Sequence, residues 1–423
     1  MAIAWRNNLA SDAAIYTAAN LLGALVPLLL LPILTSVLSP HDYGIVALFG
    51  VAISVLSVFI GLSVQGSISV QFYKLDRIEF ARFVTACLFI LIATAGVIAF
   101  MSLLLGGAIE NATGIPAGLL GVACLVATVQ FVTAIRLSIW QNERSPLKYA
   151  AMQFAQVILN AGLTLWLILQ VGFGWEGRIL GISVAALTMA AYSVIGLWRR
   201  GFIAVRTRKR YIEDALKFGV PLLPHVLGGM FIYSADQIMV AHLLGTAQAG
   251  VFSVALSVAS AIQLICMASS RAFAPWLYKH LPSMGEDMKV KVVRYIYGYF
   301  ILISLLALAY GMAAPLLLEI LVRQEFIVDN FVILFVSLGF AFGGMYFAVA
   351  NFVFQASATG KLAVVTFTTG SINLVLTYFF IRKFGLAGAG FGFMLTQAMF
   401  FIATWRLSHL VSPMPWFRRQ YAD

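Results

Sequence analysis

Charge is what this chain has least of. Only 10% of its 423 residues are Asp, Glu, Lys or Arg, whereas 62% are hydrophobic and the mean hydropathy is +0.96. A soluble domain carries about 25% charged residues, so this composition excludes a large water-facing domain. Cysteine is scarce too: Cys87, Cys124 and Cys266 stand singly, which excludes a CxxC metal or redox motif and any disulfide framework. The five histidines, His41, His225, His242, His280 and His409, form no HExxH or other ligand cluster, so no metal and no cofactor is expected. No segment pairs a nucleophile with a base, which leaves no catalytic residue to name and argues against an enzyme. Acidic residues are outnumbered 16 to 27 by Lys and Arg, for a net charge of +11.

What fills the chain is apolar sequence in stretches of about 20 residues, the length a helix needs to cross the hydrocarbon core of a bilayer. Twelve such stretches are expected, near 13–36, 43–65, 83–105, 117–140, 149–171, 178–198, 218–243, 250–273, 294–316, 328–354, 363–381 and 386–406. The fold class is therefore all-α, a polytopic membrane protein with twelve transmembrane helices. No cleavable signal peptide is expected, because Arg6 and Asp12 precede a first span that is too long and runs into Pro32 without a small-residue cleavage site. Of the 27 Lys and Arg residues, all but Arg178, Arg323, Arg382 and Lys383 fall in segments on one side of these spans. The positive-inside rule makes that side the cytoplasm and places both termini there. The basic stretch Arg199 to Arg210 then meets anionic lipid head groups, at about 1 kcal/mol per cation near the surface. No aromatic-interleaved basic domain accompanies it, so nucleic acid is not an expected partner.

The same stretch divides the chain into halves that resemble each other, 1–205 and 206–423. Asn20-Leu21-Leu22-Gly23 lies over His225-Val226-Leu227-Gly228, and Leu38 through Gly44 over Leu244 through Gly250. Farther along, Gln141 meets Gln355, Asn160 meets Asn373, and Gly174, Gly177 and Gly181 meet Gly385, Gly388 and Gly392. Six spans per half is an even number, so two six-helix bundles related as parallel repeats are expected, an arrangement found among transporters. Gly177/Gly181 and Gly388/Gly392 sit four apart, on one helix face, where backbones can approach closely. The glycine-rich run 385–392 has no preceding strand and is not read as a nucleotide site.

Ionisable groups within spans are costly and mark functional positions. Asp236, in the outward half of span seven, is the sharpest case. His225 precedes it by eleven residues, which on a continuous helix returns to within about 20° of the same face. The pair is a candidate for coupling to a proton or cation. Arg271, near the inner end of span eight, suits a diphosphate through its fork of donors, and its repeat counterpart Gly66 leaves space opposite. Arg136, Lys74 and Lys279 are further cations near the inner face, and snorkelling to lipid head groups is the plainer reading of Arg136. Pro27 and Pro32 in span one, and Pro221 and Pro224 in span seven, are expected to interrupt those helices.

Three strings carry a family resemblance. Leu31-Pro32-Ile33-Leu34-Thr35 followed by Leu38-Ser39-Pro40-His41-Asp42-Tyr43-Gly44 resembles the first-hairpin signature of bacterial polysaccharide (O-antigen-type) flippases. So does Ser234-Ala235-Asp236 leading to Leu244-Gly245 and Gly250-Val251-Phe252, and so does Phe273-Ala274-Pro275-Trp276-Leu277-Tyr278. That family belongs to the superfamily that also holds multidrug extrusion antiporters and lipid II flippases. The resemblance implies an inner-membrane protein that moves an undecaprenyl-diphosphate-linked oligosaccharide from the inner to the outer leaflet. Alternating access would expose a cavity lined by spans 1, 2, 7 and 8, driven by an H+ or Na+ gradient. Polysaccharide polymerase and chain-length proteins would be partners beside membrane lipids. Asn20, Gln65, Gln71, Asn160 and Asn373 are then available for sugar hydroxyls. Gln237 stands where many relatives have a basic residue, which removes a charge pair with Asp236. Two other readings stay open: a drug or cation antiporter, separable by transport of dyes against lipid-linked sugar, and a membrane enzyme or scaffold, against which the short outer loops argue.

Overall fold

A computed structural model describes residues 2–416, with side chains from residue 15 onward apart from Ala24. Arg418 and Arg419 lie outside the described residues, as do the side chains of Arg6 and Asp12. Among the described residues every regular element is helical: α1 (Ala2–Val37), α2 (Pro40–Phe59), α3 (Gln65–Gln71), α4 (Arg77–Thr113), α5 (Ala117–Asn142), α6 (Pro146–Leu169), α7 (Trp175–Arg199), α8 (Lys209–Gly219), α9 (Leu223–Tyr233), α10 (Ala235–Leu244), α11 (Thr246–His280), α12 (Glu286–Leu321), α13 (Asn330–Gln355) and α14 (Thr359–Val411). Eleven helical stretches among the described residues are long and apolar enough to cross a membrane.

The last of these holds two limbs. Its 53 residues contain Gly385 at φ 58° and ψ −136°, a conformation closed to residues with a side chain. Beyond it the chain doubles back: a β-carbon on Gly388 would strike the Phe380 carbonyl, and one on Gly392 would lie 2.9 Å from Thr377 Oγ1. Counting the limbs 359–384 and 386–411 separately gives twelve apolar segments, the number expected from hydropathy. That each of them crosses the bilayer once is part of the proposal made below.

Local sequence sets the helix ends. Ser39 caps α2 and forms a capping box with Asp42, whose carboxylate accepts from the Ser39 N–H at 3.3 Å while Asp42 N–H donates to Ser39 Oγ at 3.2 Å. Asp76 accepts from the N–H groups of Ile78 and Glu79 at the start of α4, and Asp329 does the same for Phe331 ahead of α13. Proline acts differently in the two spans expected to break. α1 runs through Pro27 and Pro32 as one helix. In span seven, Pro221 sits within a 3₁₀ turn at 220–222 and Pro224 in the first turn of α9, and a second break falls at Ser234, between α9 and α10.

Two compact units emerge. One comprises Met1–Val226 with Leu244–Gly250, the other Leu227–Leu243 with Val251–Asp423. In the first, α6 packs on α1 and α7, and α5 on α2, α4 and α7. Gly44 and Gly250, equivalent in the repeat, meet reciprocally there: a β-carbon on Gly44 would collide with the Thr246 carbonyl, and one on Gly250 with the Pro40 carbonyl. In the second unit α13 packs on α12 and on α14. The sequence division at 205/206 follows the repeat and stays a proposal.

Candidate functional site

The second unit buries a carboxylate in a nest of side-chain oxygens. Glycine makes the approach possible: a β-carbon on Gly228 of α9 would lie 2.6 Å from Phe367 N, and one on Gly370 of α14 would lie 2.5 Å from Gly228 O. With the backbones in contact, the chain passes Ser234 and enters α10, and Asp236 in its first turn meets the first limb of α14. Asp236 Oδ1 accepts from Asn373 Nδ2 and Thr377 Oγ1, each at 3.0 Å. Asn373 Nδ2 also donates to Phe231 O at 2.8 Å, and Asn373 Oδ1 accepts from Thr396 Oγ1 of the second limb at 2.5 Å. Asp236 is 2% exposed and Asn373 and Thr377 are fully buried. Asp236 Oδ2 has no partner. A buried carboxylate oxygen without a donor is costly as a bare charge, and a proton or a cation bound there would offset that cost.

The first unit repeats the frame and inverts the charge. Asn160 and Thr164 on α6 have the spacing of Asn373 and Thr377, and both accept from Arg178 Nη1 of α7, at 2.6 and 2.9 Å. Gly181 lets α7 approach, since a β-carbon there would lie 2.5 Å from Thr164 Oγ1, as Gly392 does opposite Thr377. A guanidinium, 8% exposed, thus stands in one unit where a carboxylate stands in the other.

The structure joins Asp236 with Asn373, which the sequence reading had assigned to separate tasks, and adds Thr377, Thr396 and Arg178, which it had not singled out. Their signal was present as an Asn-x-x-x-Thr spacing recurring at an offset of 213. His225 lies on α9, half-buried, with Nδ1 unpartnered. The helix breaks at Ser234, so counting turns from His225 to Asp236 across it no longer fixes a common face. Asn20 accepts from Tyr149 Oη at 3.0 Å and Gln153 Nε2 at 3.3 Å. Gln65 Oε1 is buried without a partner. Gln71 and Lys74 line one cavity with Arg210 and Lys217 in the first unit. The room beside Gly66 is taken by the Phe218 ring, 3.1 Å from where a β-carbon would stand. Arg271 is half-buried on α11, and Lys279 is exposed near its end. Arg136 is buried against Trp140 in the first unit.

Residues 9–280 match the family described as "Polysaccharide biosynthesis protein". An Lsg-locus protein of Haemophilus influenzae is 23% identical over 381 residues, covering 86% of this chain and 91% of that protein. An uncharacterized membrane protein of the same organism is 25% identical over 292 residues, 67% of this chain and 68% of its own. Among solved structures, the lipid II flippase MurJ in an inward closed conformation superposes with a TM-score of 0.73 at 12% identity, over 95% of this chain and 86% of that one. An inward-facing multidrug resistance MATE family transporter of the MOP superfamily gives 0.69 at 14% identity, over 93% and 94%. Likeness at this identity shows a shared fold.

Proposed function

The chain belongs to the polysaccharide biosynthesis protein family, and from that membership we propose that it is a flippase for undecaprenyl-diphosphate-linked oligosaccharide, a repeat unit of O-antigen, capsule or exopolysaccharide. It works in the bacterial inner membrane as twelve spans in two parallel repeats with cytoplasmic termini, and polymerase and chain-length proteins take up its product. A diphosphate with its sugar cannot cross hydrocarbon unaided, and cations with hydrogen-bonding side chains replace the hydration it gives up. Arg271, Lys74 and Lys279 serve the diphosphate, and Gln71, Gln65 and Asn20 serve the sugar. Arg136 is set apart, because its surroundings carry a different inference.

The observation that carries the reading is the buried Asp236 carboxylate with its unpartnered oxygen, in a fold shared with transporters. Alternating access needs a group whose charge state changes with the ion bound. Asp236, with Asn373, Thr377 and Thr396, offers oxygens for H+ or Na+ and couples the gradient to the conformational cycle. His225 modulates the same step from α9.

The experiment is complementation of a flippase-null strain. Wild-type protein restores surface polysaccharide, and in its absence lipid-linked oligosaccharide accumulates on the inner leaflet. Asp236→Asn at matched membrane level restores little. Restoration of cationic-dye efflux without polysaccharide would assign the chain to the antiporter reading instead.

A further inference from the structure

Arg136 is 3% exposed, yet its Nε and Nη1 have no hydrogen-bond partner. Its guanidinium carbon lies 4.3 Å from the centroid of the Trp140 ring, whose own Nε1 is buried without an acceptor. Arg136 and Trp140 line a cavity of about 590 Å³ between α5, α6 and α7, with Lys148 on α6, Tyr192 and Arg199 on α7, and Arg200 just beyond it. Glu143 answers Arg200 at 3.2 Å. Among the described residues no carboxylate lies within ion-pair distance of Arg136, Lys148 or Arg199, so the cavity keeps an excess of positive charge beside donors that point at nothing.

The rim is apolar. Leu147 on α6 is 73% exposed, and Ile195 and Trp198 on α7 are 49% and 69% exposed. Tyr192, 57% exposed, presents an apolar ring with a polar tip, as aromatic residues do at head-group level. The pocket opens at the end of the helices that the charge distribution assigns to the cytoplasmic face. An occupant must bring an anion for the donors within and hydrocarbon for the surface around them.

We propose that the cavity between α5, α6 and α7 binds the phosphate of an anionic phospholipid, at a site separate from the Asp236 cluster. Arg136 and Trp140 Nε1 donate to the phosphate oxygens, while Lys148 and Arg199 hold the head group from the rim. The acyl chains lie along the apolar faces of α6 and α7. Basic pockets between transmembrane helices on the cytoplasmic side recognise lipid head groups in this way. Holding the lipid ties α5 to the α6–α7 hairpin, whose Arg178–Asn160–Thr164 frame is internal to the same unit.

The test uses purified full-length protein, stripped of lipid and titrated in native mass spectrometry with phosphatidylglycerol, phosphatidylcholine, inorganic phosphate and undecaprenyl diphosphate. Phosphatidylglycerol is expected to bind about tenfold more tightly than phosphatidylcholine, and Arg136→Gln to lower the first about tenfold while leaving the second unchanged. Millimolar phosphate does not displace the lipid. Equal binding of the two lipids, or unaltered binding by Arg136→Gln, overturns the proposal. So does displacement by phosphate, which would make the cavity a free-anion site, or tighter Arg136-dependent binding of undecaprenyl diphosphate, which would give it to the transport substrate. Should Arg136→Gln fail to fold, the double variant Lys148→Gln with Arg199→Gln, both at exposed positions, must weaken phosphatidylglycerol in the same direction; unchanged binding there is equally contrary.

Discussion

Placing one carboxylate inside a bilayer costs about 2.5–3.5 kcal/mol on insertion scales, and Asp236 has hydrogen bonds on only one of its two oxygens to offset that. Asn at this position keeps the shape and the accepted bonds but cannot take up an ion. Asp236→Asn should therefore leave membrane level and melting temperature near wild type while surface polysaccharide falls at least about tenfold, as expected when a coupling charge rather than a packing group is removed. Normal polysaccharide in that variant would make Asp236 structural. At Arg271 the two side-chain chemistries separate the roles. If its forked donors grip diphosphate, Lys retains part of the activity and Gln very little; if it merely reaches to the head groups, Lys costs nothing and Gln modestly. Complementation at matched expression reads the difference. Both Asp236 and Asn373 were visible as intramembrane polar groups in the sequence, but their contact was not: they stand 137 residues apart, and one sequence carries no register between α10 and α14.

Helix limits were largely legible for α5, α6 and α7, which end within three residues of the apolar runs 117–140, 149–171 and 178–198, whereas α4 extends well beyond 83–105 at both ends. Breaks inside helices were not legible. Hydropathy sees 218–243 as one run, whereas the backbone stops at 220–222 and again at Ser234; the same measure cannot tell that Pro27 and Pro32 leave α1 continuous. Glycine chemistry explains what the pattern left open. Gly228 and Gly370 hold α9 on α14 through backbone contact, so Gly228→Val or Gly370→Val must push the helices apart. Each should lower stability by about 1–3 kcal/mol, as overpacking does, and with it open the Asp236 cluster. Gly360→Ala, where a β-carbon meets nothing within 4 Å, serves as the neutral control. Thermal melts of the purified variants check this, and equal melting of Gly370→Val and Gly360→Ala would contradict it.

On the scale of the whole molecule, composition and the placement of cations were enough to indicate a polytopic membrane protein, because the bilayer imposes helix and apolarity on every span. The offset repeat reappears as equivalent frames, Asn160–Thr164 and Asn373–Thr377, one holding Arg178 and the other Asp236. Only the second charge can bind a cation, so the proposed ion coupling is confined to one frame. Asp236 was legible from sequence; the frame's contrast was not, because Arg178 looks like a loop cation until α6 and α7 are paired. The most direct measurement of the central claim is reconstitution of the purified protein into liposomes loaded with labelled undecaprenyl-diphosphate-linked oligosaccharide, with a Na+ or pH gradient imposed. The account predicts gradient-dependent transfer of label between leaflets by wild type and none by Asp236→Asn. Equal transfer by both, or none by wild type under either gradient, would contradict it.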